Sequence, residues 1–354
     1  MTTEKLKFGV VGLGGIGSVR AQALQRSESC TLTAVCDIDP SKTLTWKDRA
    51  EVFSELADIL VSEKCDALVI CTPPNTHREM AIAAMRAGKH VLVEKPMAES
   101  LASCEEMLTV AQDTERVLTV GYNHRYFKGV DVVRQSIAEN TIGKLRYLRA
   151  FTGHTGLSEF KAPWMYDRNV MGGGTLLDNG THLLDLVASF MGDVKSVEAK
   201  VDNALWNLEV EDNAFLRITD VNGAHCEFHS SWTEWKGYRF FIEAYGDKGM
   251  VQMYYAPMFA RRIQMADDRL SSTTERWFFW SDILKEKFRG WQSTVIETFL
   301  KELDEFASLT RGNVESGVIA TGADGCRAVR LANAAYESSM TNAPVAMMQS
   351  KENS

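Results

Sequence analysis

The chain has 354 residues, 45% of them hydrophobic and 24% charged, with 39 basic residues against 47 acidic ones. These are ordinary values for a globular protein long enough for two domains. The net charge of −8, with no basic run or stripe, argues against nucleic acid as a partner. No apolar run approaches the roughly 20 residues of a membrane helix. The seven cysteines (30, 36, 65, 71, 104, 226 and 326) are odd in number and show no C-x-x-C spacing. Several lie in apolar strand-like runs, so they read as buried thiols of a reducing compartment, and a cytoplasmic location is expected. The opening MTTEKLKFGVVG leads into a strand without a signal-peptide pattern.

The first strand is predicted over residues 7–11 and is followed by Gly12-Leu13-Gly14-Gly15-Ile16-Gly17. A helix is predicted over 15–26 and a second strand over 31–36, closed by Asp37. Strand, glycine turn, helix and an acidic residue about 20 positions on make up the dinucleotide-binding fingerprint. Its glycines allow a tight turn and close approach of the backbone to a pyrophosphate, which the helix N-terminus then meets with free N–H groups. The carboxylate of Asp37 would accept from a ribose 2′-hydroxyl and repel a 2′-phosphate, so NAD is expected over NADP. Lys42, close in sequence, softens that repulsion.

Further strands are predicted over 67–71, 90–94 and 117–121, alternating with helices over 55–63, 76–87 and 100–113. Ser100 offers capping chemistry for the last helix. The alternation implies a parallel sheet covered on both faces. Ligands of such sheets bind beyond the carboxyl ends of the strands. Three segments lie there: Cys71-Thr72-Pro73-Pro74-Asn75-Thr76-His77, Glu94-Lys95-Pro96, and Gly121-Tyr122-Asn123-His124-Arg125-Tyr126. Each also reads as an ordinary polar turn. Thr72 and Asn75 can hydrogen-bond a ligand, and Lys95 is a candidate proton donor or hydroxyl anchor.

After residue 121 a helix over 129–140 precedes longer, alternating strands over 144–151, 194–201, 213–219, 224–232, 238–244 and 250–255. Turn signals at 221–223 and 246–249 mark hairpins. Helices are predicted over 174–191, 293–309 and 320–340, and the tail over 349–354 is expected to fray. In the run GGGTLLDNGTHLLD at 172–185, Asp178 and His182 stand four apart, on one face of the predicted helix. They form a surface pair, an acid–base unit or half a metal site; no other cluster has ligand spacing, so no metal is expected.

GLGGIG, CTPPNTH, the EKP at 94–96 and GGGTLLDNGTHLLD, in this order, resemble the glucose–fructose oxidoreductase / inositol dehydrogenase / rhizopine-catabolism (Gfo/Idh/MocA) family over roughly residues 5–345. The resemblance implies an α/β chain with a Rossmann domain over 1–122. An α+β domain over 123–354 would follow, with a large open, mostly antiparallel sheet for substrate binding and oligomerisation, its last helix packing back on the first domain. It implies hydride transfer between NAD or NADP and a carbinol or keto carbon of a sugar, inositol or sugar derivative. Alternatives are a nucleotide-sugar dehydrogenase, a keto-sugar reductase, or a non-catalytic dinucleotide-binding regulator.

The family's roles, carried onto this sequence, make His182 the proton acceptor, Lys95 the contact to the reacting hydroxyl and Asp178 a substrate-positioning group. Cofactor contacts are expected from Gly12, Gly14, Gly15, Ile16, Gly17, Asp37, Ile38, Thr72, Pro73, Asn75, His77, Glu94, Lys95 and Asn123. Substrate contacts are expected from Lys95, Arg125, His154, Trp164, Asp178, Asn179 and His182. The Lys95–Pro96 peptide is expected to be cis, which X–Pro bonds alone accommodate readily. A homodimer or homotetramer is expected through the second-domain sheet. Its strands carry Phe215 and Phe228, and Trp232 and Trp235 follow, more aromatic surface than one helical layer covers. The segment at 41–52 is shorter and more polar than the family pattern.

Overall fold

The computed structural model describes residues 4–156, 162–203, 205–255, 258–267, 270–313 and 317–347; the tail at 349–354 lies outside these. The chain forms two compact units, each drawn from two stretches: Met1–Tyr126 with Lys285–Cys326, and Phe127–Leu284 with Arg327–Ser354. Among the described residues no helix is long and apolar enough to cross a membrane.

The first unit holds six parallel strands: β1 (Leu6–Val11), β2 (Cys30–Cys36), β3 (Glu51–Phe53), β4 (Ala67–Ile70), β5 (His90–Val93) and β6 (Leu118–Val120). Their order is β3-β2-β1-β4-β5-β6, so the direction of winding reverses between β1 and β4, which pair with Val11 opposite Ile70. β4 is buried at every position, as a strand covered on both faces requires. Ser100 caps the helix Leu101–Thr114, accepting from the Ser103 N–H at 3.2 Å. The polar segment after Asp37 contains a short helix, Pro40–Thr43, capped by the Asp39 side chain, before the three residues of β3, which the sequence reading lacked.

The helix Gln292–Thr310 comes late in the chain and packs on this sheet. Its buried residues Ile296, Phe299, Leu303, Phe306 and Ala307 recur at helical spacing and join the core of Phe8, Val10, Val19 and Leu24. The Phe306 ring lies 5.2 Å from that of Phe8. Beyond it, the Val120 N–H donates to the Ala320 carbonyl and Thr119 bridges Thr321, so residues 320–321 extend the edge beside β6.

The second unit is built on nine strands: β7 (Leu145–Gly153), β8 (Val194–Asp202), β9 (Asn213–Asp220), β10 (His225–Ser231), β11 (Arg239–Gly246), β12 (Gly249–Tyr255), β13 (Phe259–Met265), β14 (Ser272–Phe278) and β15 (Val345–Ala346). The order is β14-β13-β12-β11-β7-β10-β9-β8-β15, and all neighbours are antiparallel except β7 and β10. β13, β14, β15 and the helix Trp280–Arg289 were missed in the sequence. β13 carries adjacent arginines and β14 is exposed at nearly every position, so neither shows the alternation of a half-buried strand.

One sheet face is lined by Leu148, Phe228, Ile242 and Val251, and the helices Lys128–Ala138 and Gly180–Met191 pack on it. The other face carries rows of side chains in register. An aromatic row runs Phe215, His229, Phe151, Phe241, Tyr254, Phe259, Phe278, with neighbouring rings 4.1–6.3 Å apart. Beside it runs a row of alternating charge: Glu198, Arg217, Glu227, Arg149, Glu243. Of the four aromatics expected to remain uncovered, Phe215 and Trp235 are 47% and 64% exposed, whereas Phe228 and Trp232 are buried. Phe228 is one residue out of phase with His229 and so points to the helix-covered face.

Truncating Phe306→Ala removes a ring between the late helix and β1. It is expected to destabilise the first unit by about 3–5 kcal/mol, read as a lower urea midpoint in equilibrium unfolding.

Candidate active site

In the first unit the glycine turn leaves β1 through Gly12, at φ +87°, a left-handed conformation suited to glycine. A Cβ on Gly12 would meet the Cys71 carbonyl at 2.9 Å, and one on Gly17 would lie 1.9 Å from the Gly12 carbonyl oxygen. Gly14 and Gly15, by contrast, have no protein atom within 4 Å of where a Cβ would sit. The helix Gly15–Arg26 starts without a side-chain cap and has no acidic residue in its first turn. Its leading N–H groups and bare backbone therefore suit a pyrophosphate, and the residues fit a bound dinucleotide.

Asp37 is buried; one carboxylate oxygen accepts the Leu13 N–H at 2.6 Å and the other the Asp39 N–H at 2.9 Å. Lys42 approaches the second oxygen at 3.5 Å, and Ile38 is 89% exposed. The carboxylate thus ties the glycine turn to the end of β2.

The loops after β4 and β5 are joined by His77. This buried ring has Nε2 2.8 Å from the Thr72 carbonyl and Nδ1 3.1 Å from that of Pro96. Burial lowers its pKa despite the two carbonyls. Thr72 accepts from Thr76 at 2.7 Å, Pro73 is half-buried and Asn75 is exposed. The Lys95–Pro96 peptide is cis, as expected.

Beneath Lys95 lies a buried charge network with no counterpart in the sequence reading. Arg20, on the glycine-turn helix, donates from Nε to Glu94 at 2.6 Å and from Nη1 to Glu302 of the late helix, with its guanidinium 3.4 Å over the Phe299 ring. Glu94 in turn accepts the Lys95 N–H at 3.3 Å. A Cβ on Gly121 would meet Arg20 Nη2 at 2.5 Å, which explains the glycine that closes β6. Glu94 is therefore committed to Arg20 and to the Lys95 backbone.

Asn123 donates to Thr298 at 3.0 Å; Arg125 donates to the Val318 and Ile319 carbonyls at 3.1 and 3.2 Å and pairs with Asp324. These groups hold the late segment onto the unit. His124, between them, is buried; desolvation and then the charge of Lys95 lower it to about 3, so its ring stays neutral at physiological pH.

The second unit holds the other candidates. The helix there is Gly180–Met191, shorter than expected, and Asp178 lies in the turns before it. Those turns form because backbone N–H groups of 174 and 176 end on Glu211 at 2.9 and 3.0 Å. Asp178 is buried and receives two ring donors on Oδ2: Trp232 Nε1 at 3.2 Å and His154 Nε2 at 3.3 Å. The Gly156 N–H donates to His154 Nδ1 at 3.0 Å, which places the ring proton on Nε2, facing Asp178. Tyr166 packs edge-on against Trp232, and burial, then the charge of Asp178, raise its hydroxyl pKa. His182 is buried on the helix, Asn179 is half-buried at its start, and Trp164 is 38% exposed in the turn Pro163–Tyr166.

The structure thus brings Asp178, His154, Trp232 and Tyr166 together. Trp232 and Tyr166 were not among the expected site residues, although the SWTEW run at 231–235 signalled the first.

Residues 6–122 match the model of an oxidoreductase family with an NAD-binding Rossmann fold, and residues 130–252 match the GFO/IDH/MocA C-terminal domain. The chain is 27% identical over 343 residues to myo-inositol 2-dehydrogenase of Thermotoga maritima, covering 94% of this chain and 96% of that one. A levoglucosan dehydrogenase solved with NADH superposes with a TM-score of 0.85 at 20% identity, over 98% of this chain and all of that one. The WlbA dehydrogenase of Bordetella pertussis, solved with NADH and UDP-GlcNAcA, gives 0.81 at 24% identity over 99% and 100%.

Burial raises the Glu302 carboxyl to about 7 against the pull of Arg20. The folded chain then holds this proton more tightly than the unfolded chain, so the group's contribution to stability falls as pH rises from the ordinary carboxyl range through about 7. Urea unfolding of the first unit between pH 5 and 8 is expected to show that fall, and Glu302→Gln to flatten it.

Proposed function

This chain belongs to the Gfo/Idh/MocA family of NAD-binding oxidoreductases, and from that we propose that Lys95, Asp178 and His182 carry out oxidation or reduction at a carbinol or keto carbon of a sugar, an inositol or a sugar derivative. The observation that carries the reading is Asp178, a buried carboxylate aimed by the ring N–H groups of His154 and Trp232. Such a carboxylate is held ready to orient a polyhydroxylated substrate. Inositol oxidation by a relative covering 94% of the chain supports the substrate class.

The dinucleotide is held, in this reading, by Gly12, Gly14, Gly15, Ile16 and Gly17, with Asp37 and Ile38 at the ribose and Thr72, Pro73 and Asn75 further along. NAD is preferred, because Asp37 would repel a 2′-phosphate. When bound, the nicotinamide supplies the hydride chemistry. His182 takes the hydroxyl proton as general base in the oxidative direction and returns it in the reductive one. Lys95 holds the reacting hydroxyl and stabilises charge developing on its oxygen. Asp178 orients a neighbouring hydroxyl, with Asn179, next to it in sequence, and Trp164 as further substrate contacts.

Absorbance at the reduced-nicotinamide band, read across a panel of inositols, sugars, glycosides and keto-sugars with NAD and NADP, tests this. The expected result is turnover of at least one panel member, faster with NAD. Lys95→Met should lower turnover by on the order of 10²–10³ while NADH affinity is retained. His182→Ala should be severe and partly rescued at high pH. Wild-type turnover in Lys95→Met would sink the assignment.

The uncovered sheet face is the surface we assign to self-association, giving a homodimer or homotetramer. Its charge row alternates strand by strand, so a second copy turned about a two-fold axis and offset by one strand sets both arginines of each copy opposite glutamates of the other. The aromatic row alongside supplies apolar area. The seven cysteines form no disulfide, which supports a cytoplasmic setting. Light scattering at micromolar concentration should give a multiple of the chain mass, and Phe215→Glu with Arg149→Glu should reduce it; a monomeric wild type would end the idea.

A further inference from the structure

We propose that Glu211 is a positioning residue that sets the placement of both Asp178 and His182; this rests on the roles just assigned to that pair. Glu211 is buried immediately before β9. Its Oε2 accepts the Gly174 N–H at 2.9 Å, its Oε1 accepts the Leu176 N–H at 3.0 Å, and its carbonyl accepts the Thr175 N–H at 3.1 Å. Three successive backbone donors therefore end on one residue.

The turns that follow are built on that anchor. Leu177 and Asp178 both donate their N–H to the Gly174 carbonyl, at 3.2 and 3.0 Å, and Gly180 donates to the Thr175 carbonyl at 2.9 Å. Asp178 thus hangs from Gly174, and the helix that bears His182 begins from Thr175.

The glycines let the Glu211 backbone and the Tyr336 hydroxyl come close. A Cβ on Gly174 would lie 2.0 Å from the Glu211 carbonyl oxygen, and one on Gly173 would lie 1.9 Å from the Tyr336 hydroxyl. That hydroxyl is itself a third donor to the side chain, reaching Oε1 at 3.0 Å. Burial raises the carboxyl pKa and the donors pull it back, so the backbone contacts are what make a buried acid tolerable here. Glutamine has the same shape but one acceptor oxygen and an amide that donates. It would set N–H against N–H at one of the two turn positions.

The test combines Glu211→Gln with Tyr336→Phe, the milder change that keeps the carboxylate and removes one donor. Folding is checked by circular dichroism, and imidazole resonances are followed in protein labelled with ¹⁵N-histidine. This spectroscopic arm needs no substrate. In folded Glu211→Gln the His154 and His182 rings are expected to shift while that of His77, in the other unit, stays in place. Tyr336→Phe should move the same two in the same direction by less, and it decides the matter if Glu211→Gln does not fold.

On the panel substrate that reacts fastest, Glu211→Gln should lower turnover by on the order of 10²-fold with NADH affinity unchanged. Added to His182→Ala, it should cause little further loss. Unmoved His154 and His182 resonances in the folded variants would overturn the proposal. Wild-type turnover in His182→Ala would instead sink the functional reading, and the resonances would still decide whether Glu211 sets the geometry.

Discussion

The turn after β1 closes so tightly that the Gly12 carbonyl oxygen stands 1.9 Å from where a Cβ on Gly17 would begin. The same constraint recurs in the second unit, where a Cβ on Gly174 would stand 2.0 Å from the Glu211 carbonyl oxygen. In both places backbone must approach backbone more closely than any side chain allows, and the elements that follow take their direction from that approach. In the first unit this aims a helix N-terminus and its unpaired N–H groups. In the second it aims a carboxylate and a histidine. Glycine-rich runs read as loops by composition; here Gly17 and Gly174 stand where no side chain fits.

Buried charge is the second organising element, and it acts over long distances in sequence. Arg20 reaches Glu94, 74 residues on, and Glu302, 282 residues on. A lone buried guanidinium would be costly to desolvate, so it requires both carboxylates and the face of Phe299. The consequence is that the helix leading from the glycine turn, the residue before Lys95 and the late helix share one set of contacts. His77 adds a crosslink between the loops after β4 and β5. The loop after β5 is thereby held by the ions of Arg20 and Glu94 and by an imidazole.

Much of this was legible in the residues. The glycine fingerprint and the order of strands and helices up to β6, apart from β3 and the short helix before it, follow from local spacing and turn chemistry, and the cis peptide at Lys95 was implied by the family resemblance. What was hidden depends on partners far along the chain. No local pattern says that residues 292–310 cover β1, because an amphipathic helix shows which face is apolar and not what it covers. Asp178 was read as lying within a helix over 174–191, on one face with His182. The actual start at Gly180 is set by Glu211, and only the pairing of a distant carboxylate with the glycine run could have told the two apart. Glu94, Asn123 and Arg125 stand in the expected loops, yet their side chains are hydrogen-bonded to Arg20, Thr298 and residues 318–319. A polar residue at a strand's carboxyl end can face a ligand or brace the loop that does, and sequence position does not separate these roles.

That distinction bears on how the two histidines near the expected chemistry should be regarded. His124 is buried beside Lys95 and held neutral by desolvation and by the lysine's charge, so it adds no cation there. His154 is fixed in one tautomer by the Gly156 N–H, so it offers Asp178 a donor of constant direction. The Nε2 proton of His154 is directed at a carboxylate that also takes the Trp232 N–H. His182, the histidine of the GTH run, is buried on the helix that follows. Its place on the helix is fixed by the turns before it, and so ultimately by one buried glutamate.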